Sequence, residues 1–201
     1  MTERLLLATT NPGKLREMRR DLGGLRLEVR SLADRPEMPP FPETGDTFME
    51  NARGKSRHYG REWKGLVLGE DSGLSVDALQ GAPGVRSARF AGPEAEDRDN
   101  LNKLLRLLEG VGPEERKARF ISCMVLSREG AILTEITEFV EGVILSGPRG
   151  SGGFGYDPVF FYPPLGKTFA QLSEEEKNRV SHRGRALAAL KLFLTGRIPA
   201  R

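Results

Sequence analysis

The stretch RLLLATTNPGKLREMRRDL, residues 4–22, decides the fold class. Its first part, RLLLATT (4–10), is a short continuous apolar run, the pattern of a buried strand. Asn-Pro-Gly at 11–13 interrupts it. Beyond the break, Leu15, Met18 and Leu22 recur at helical spacing. Strand, tight turn and helix follow one another directly, which points to an α/β chain.

The rest of the chain keeps this alternation. DRPEMPPFPETG (34–45) is proline-dense and reads as a loop. Thr47 and Glu50 form the two ends of a capping box, so a helix starts there and runs to about Tyr59. GLVLGEDSG (65–73) reads as a short buried strand ending in acids and a glycine turn, and LQGAPG (79–84) as a loop. DRDNLNKLLRLLEG (97–110) carries leucines at 101, 104, 105 and 108, an amphipathic helix stopped by Gly110. ARFISCMVLS and AILTEITEFVEGVIL flank Arg-Glu-Gly (128–130), and the second run alternates, so the pair reads as an antiparallel hairpin. VFFY (159–162) is a short strand and RALAALKLFL (185–194) a terminal helix. The expected fold is α/β, a mixed sheet flanked by helices, with two lobes around a central cleft. A single domain over 1–201 is expected, without repeats or a linker.

Composition narrows the function classes. A net charge of +3 suits an anionic ligand without demanding a nucleic acid polymer. The single cysteine, Cys123, lies in an apolar run and forms no internal disulfide, in keeping with a reducing compartment. Two histidines argue against a His-rich zinc site. No run approaches the length of a membrane span, and the first residues lack the pattern of a secretory signal, so a cytoplasmic protein is expected.

Four stretches carry chemistry. In TTNPGK (9–14), a helix start offers free N–H groups and a partial positive charge, Thr9, Thr10 and Asn11 add donors, and Lys14 adds a point charge. This suits phosphate; the alternative is that Asn11 merely caps a helix. It is no Walker loop, because Ala8 stands where the leading glycine belongs. In GEDSG (69–73), Glu70 and Asp71 are adjacent acids at a strand end, where ligands bind in α/β sheets, and Mg²⁺ prefers such oxygen ligands. A polar turn is the alternative. Glu43 in PETGDT could add a third carboxylate. GSGGFG (150–155) fits the dinucleotide fingerprint G-x-G-x-x-G, but no helix opens after it, and Pro158 and a β-run follow. Its glycines instead allow unusual backbone angles around Phe154 and bring Asp157 near it. Finally, EEEKNRVSHRGRAL (174–187) presents hydroxyl, imidazole and guanidinium in a row, or simply a solvated, capped helix start.

The blocks LLLATTNPGKLREM, ETGDTFMENARGKSRHYG, GEDSGLSVDALQGAPGVRSARFAG, GGFGYDPVFF and EEKNRVSHRGRAL, in this order, resemble the inosine triphosphate pyrophosphatase family. They span nearly the whole chain. The resemblance implies an elongated mixed sheet with two α/β lobes, a homodimer, and Mg²⁺-dependent conversion of ITP, dITP or XTP to the monophosphate and pyrophosphate. It implies that Thr9, Thr10, Asn11, Pro12, Gly13, Lys14 and Lys55 hold the triphosphate. Glu43, Glu70 and Asp71 would hold Mg²⁺, with Asp71 as general base, and Ser72 would touch the substrate. Phe154 would stack on the purine within the stretch Phe154, Gly155, Tyr156, Asp157. Asp157, Lys177, Ser181, His182 and Arg183 would line the base and sugar end.

Overall fold

A computed structural model describes residues 2–196 of the chain. The opening stretch folds as its pattern predicts. Strand β1 (Glu3–Leu7) turns into helix α1 (Pro12–Leu22), which Asn11 caps by accepting from the Lys14 amide. Pro12 at the first helical position costs no hydrogen bond there. Strand β2 is Leu27–Ser31, and helix α2 is Phe48–Gly60. The Thr47–Glu50 capping box is present at the start of α2.

Strand β3 (Leu66–Val76) is longer than the sequence suggests. The Asp-Ser-Gly signal for a turn is overridden, and the strand continues through it. Glu70 and Asp71 therefore lie inside a strand, where neighbouring side chains point to opposite faces, and not at a frayed end. Helix α3 is Asp97–Leu107. Strands β4 (Lys117–Arg128) and β5 (Ala131–Ile144) form the expected hairpin, joined by Glu129 and Gly130. Short strands β6 (Phe160–Tyr162) and β7 (Lys167–Thr168) precede helix α4 (Glu174–Val180) and helix α5 (His182–Thr195).

The strands form one seven-stranded sheet in the order β2-β1-β3-β4-β5-β6-β7. β1 pairs in parallel with β2 and β3, whereas β5–β6 and β6–β7 pair antiparallel, so the sheet is mixed. No described helix is long and apolar enough to cross a membrane.

The chain divides into two compact units. Unit 1 contains residues 1–71, 122–138 and 183–201; unit 2 contains 72–121 and 139–182. Unit 1 has one core where Leu5, Leu7 and Leu68 meet Leu15, Met18 and Leu22 of α1 and Leu187 and Leu190 of α5. Leu6 and Val67 point into a second group with Tyr59 and Trp63. The alternation of these strand residues thus buries both faces. Gly69 permits the close approach of α2 to β3, because a Cβ there would stand 2.3 Å from the Ala52 carbonyl. That approach brings Asn51 and Lys55 within reach of Glu70 and Asp71.

Unit 2 has its own core, in which Leu101 and Leu104 of α3 and Leu108 just after it pack with Leu74, Phe120, Tyr156, Phe160 and Phe169. Leu104 is fully buried, while Leu107 on the same helix is 47% exposed. Leu104→Ala should destabilise the protein by about 2–5 kcal/mol and Leu107→Ala by under about 0.5 kcal/mol. Urea denaturation midpoints of the two variants check this; equal shifts would contradict the packing described.

Candidate active site

In unit 1, Glu70 and Asp71 are buried, Glu43 is half-buried, and each lies near a cation. Glu70 is 1% exposed. Its Oε1 accepts from Nε and Nη2 of Arg183, both at 3.2 Å, and from the Ser122 hydroxyl at 3.3 Å. Its Oε2 lies 2.7 Å from Nζ of Lys14. Arg183 also donates from Nη1 to Glu17 at 2.6 Å. Burial would lower the Arg183 pKa, but the charges of Glu70 and Glu17 outweigh it and raise it.

Asp71 faces a different set. Its Oδ2 accepts from Nδ2 of Asn51 at 3.0 Å. Oδ1 lies 3.8 Å from Nζ of Lys55. Lys55 donates to the Glu70 carbonyl at 3.0 Å and pairs with Oε1 of Glu43 at 2.6 Å. Desolvation raises the Asp71 pKa, against the pull of Lys55 and Lys14. Desolvation opposes the charge on Lys55 too, yet Asp71 and Glu43 outweigh it and its pKa is raised.

Among the described residues no group of three His, Cys, Asp or Glu side chains stands at metal-ligand spacing. The expected set of Glu43, Glu70 and Asp71 is not gathered, because Glu70 turns to Lys14 and Arg183 while Glu43 and Asp71 share Lys55. The donor chemistry nonetheless suits a hard cation. Glu43, Asp71 and the Glu70 carbonyl offer only oxygens, and all three converge on one positive charge, the Lys55 ammonium.

At TTNPGK, Asn11 acts as the helix cap, and its own amide donates to the Thr9 hydroxyl at 3.2 Å. Thr10 and Pro12 are exposed and Gly13 is buried. These residues border Lys14, so the cap and the phosphate reading are compatible.

Unit 2 gathers the second set. Oδ2 of Asp157 accepts from the Phe154 amide at 2.9 Å and from Nζ of Lys177 at 2.6 Å. The same ammonium lies 4.8 Å from the Phe154 ring centroid. Gly153 has φ +74, and a Cβ there would come within 1.9 Å of Asp157 Oδ2, so only glycine fits. The Tyr156 hydroxyl donates to the Ser87 carbonyl at 2.9 Å, and burial pushes its pKa up. His182 stacks on Phe120 with centroids 4.8 Å apart. Ser181 closes α4, its amide donating to the Lys177 carbonyl at 2.8 Å, and half-buried Ser72 lies on β3.

The stretch 174–187 is a solvated, capped helix start only in its first turn, where Ser173 caps α4 and Glu174 and Glu175 are exposed; Lys177, Ser181, His182 and Arg183 beyond it are all buried. The terminal helix begins at His182, which turns these residues inward. Arg183 was expected beside His182 at a base end, yet its Nε, Nη1 and Nη2 are all directed at Glu70 and Glu17 in unit 1. Two carboxylates, one buried and one part-buried, are the stronger partners for a guanidinium.

The family profile described as Ham1 family matches residues 5–193. The chain belongs to the Ham1 family. It is 47% identical over 92% of its length, and 91% of the relative's, to a protein of Geobacillus kaustophilus named dITP/XTP pyrophosphatase. A protein of the same name from Syntrophobacter fumaroxidans is 51% identical, covering 93% of this chain and 80% of that one. The solved structure of a HAM1 protein from Coxiella burnetii superposes with a TM-score of 0.88 at 39% identity, covering 96% of this chain and 99% of that one. The α/β mixed-sheet fold read from the sequence is that of these Ham1 structures.

The sequence reading missed the partners that hold this Ham1 protein's acids in place. Asn51 clamps Asp71 and also accepts from the Gly45 amide at 2.9 Å. It stands four residues before Lys55 on α2, and that i,i+4 spacing was a usable signal. Glu17 stands three residues after Lys14 on α1, with the same kind of signal. Phe120, beneath His182, gives no signal beyond a strand-like aromatic.

Arg183→Ala would remove the guanidinium that Glu70 and Glu17 share. A loss of about 3–5 kcal/mol is expected, seen as a large drop in melting temperature. Arg183→Lys should recover only part of it, since one ammonium cannot serve both carboxylates in the same geometry.

Proposed function

We propose that this Ham1-family protein hydrolyses non-standard purine nucleoside triphosphates, namely ITP, dITP and XTP, to the monophosphate and pyrophosphate. One observation carries the reading: a buried ammonium, Lys55, lies among Glu43, Asp71 and the Glu70 carbonyl in a chain whose curated relatives are named dITP/XTP pyrophosphatase.

The triphosphate is strongly anionic. Lys14, Lys55 and the positive end of α1 offset that charge. Glu43, Asp71 and Glu70, the last through its carbonyl, would hold Mg²⁺. When bound, the ion supplies positive charge against the phosphate oxygens and fixes their position. Asp71 serves as general base: Asn51 holds one oxygen, and burial raises its proton affinity toward that needed to accept a proton from water.

At the base end Phe154 offers a ring face for the purine. The Lys177 ammonium beside that ring is a donor without acceptor capacity. A 6-oxo purine satisfies it, while the 6-amino group of adenine meets it with another donor. Such a mismatch in a buried site discriminates by on the order of 10⁴-fold. His182 can contribute a second donor; Arg183 is committed to Glu70 and Glu17. The family resemblance also implies a homodimer in the cytoplasm, which light scattering on the purified protein would test for the oligomer.

Pyrophosphate release from ITP, XTP, dITP, GTP and ATP, with and without Mg²⁺, tests the reading directly. Release from the first three, dependent on Mg²⁺ and far exceeding that from ATP, is expected. Asp71→Asn should nearly abolish turnover with the melting temperature little changed; near-normal ITP hydrolysis would remove Asp71 from its role. Phe154→Ala should weaken inhibition by IMP while pyrophosphate inhibits much as before.

A further inference from the structure

Consecutive amides in the loop that carries Phe154 are held by different carboxylates. The Phe154 amide donates to Asp157 of the same loop. The Gly155 amide donates to Oδ2 of Asp97 at 2.7 Å. Asp97 is the first residue of α3, and that helix is already capped by the reciprocal pair Glu96 and Asp99. The Asp97 carboxylate is therefore spare to the cap and reaches across to residue 155.

Helix α3 is itself fixed. Asn100 accepts from the Ala91 amide at 2.7 Å and donates to the Ala88 carbonyl at 3.1 Å. Lys103 donates to the Phe90 carbonyl at 2.6 Å. These bonds tie α3 to the 3₁₀ segment Gly84–Arg89 and the residues after it. Tyr156, next to Gly155, donates to Ser87 of that segment. Two neighbouring loop residues are thus fastened to one rigid block, and the left-handed Gly155 (φ +62) lies at the fastening point.

We propose that Asp97 is a positioning residue for substrate: by holding the Gly155 amide it sets the plane of Phe154 against which the purine stacks. The proposal rests on the functional reading above. Asp97→Ala should raise KM for ITP and the inhibition constant of IMP about tenfold, as expected for one lost charge-assisted hydrogen bond. The kcat and the inhibition by pyrophosphate should stay within about twofold. Asp97→Asn keeps an acceptor and should restore most of the IMP binding.

Unchanged KM and IMP inhibition in Asp97→Ala, with only a lower melting temperature, would reduce Asp97 to a helix-end charge and overturn the proposal. Parallel weakening by pyrophosphate, or no recovery in Asp97→Asn, would overturn it as well. Hydrogen exchange of residues 153–157 separates the two levels of argument. Faster exchange confined to this loop in Asp97→Ala supports the fastening even if ITP proves not to be a substrate. In that case the wild-type substrate panel, not the loop, is what fails.

Discussion

Glu70, Asp71, Lys55 and Arg183 are all buried in one unit, and a buried charge is tolerable only when it is matched. The matching here is close. Glu70 takes a guanidinium on one oxygen and an ammonium near the other; Asp71 takes an amide and a more distant ammonium. Much else in unit 1 follows from this demand. Helix α2 must lie against β3 closely enough for Lys55 to arrive, so position 69 has no side chain. Helix α1 must start where Lys14 can reach, so the chain turns sharply at Asn11 and Pro12. Helix α5 must deliver Arg183 in its first turn.

On the proposed function, charges held in this way are also prepared for chemistry. A carboxylate with one oxygen fixed and its proton affinity raised can accept a proton without first reorganising. An ammonium balanced among three oxygens can turn toward an incoming anion. The stability of the cluster and its reactivity therefore come from the same contacts. Unit 2 uses another device: an aromatic face whose neighbouring ammonium is itself neutralised by Asp157.

The elements were legible in the sequence where local pattern and tertiary demand agree. The strand and helix of residues 4–22, the Thr47 cap and the β4–β5 hairpin carry their own start and stop signals. The extension of β3 through Asp-Ser-Gly was not legible, because the pairing that carries a strand past a turn signal is supplied by residues far away in sequence. The candidate acids and lysines were visible as residue types. What each one touches was not: Arg183 reads as the neighbour of His182, yet a helix start turns successive side chains in different directions. Ser122 looks ordinary in the sequence and acquires a role only through its hydrogen bond to Glu70, while Asn51 and Glu17 show only a helical spacing to Lys55 and Lys14, not the Asp71 and Arg183 they bond.

The loop around Phe154 sets a limit on how this chain can drift. Oδ2 of Asp157 occupies the space where a Cβ at position 153 would go, and the same oxygen neutralises Lys177. A change at one of these positions is therefore felt at another. A side chain at 153 expels the carboxylate, and a shorter residue at 157 abandons a buried ammonium. Asp157 thus couples the two others: a side chain at 153 meets a steric barrier at its oxygen, and loss of the charge at 157 or 177 meets an electrostatic one.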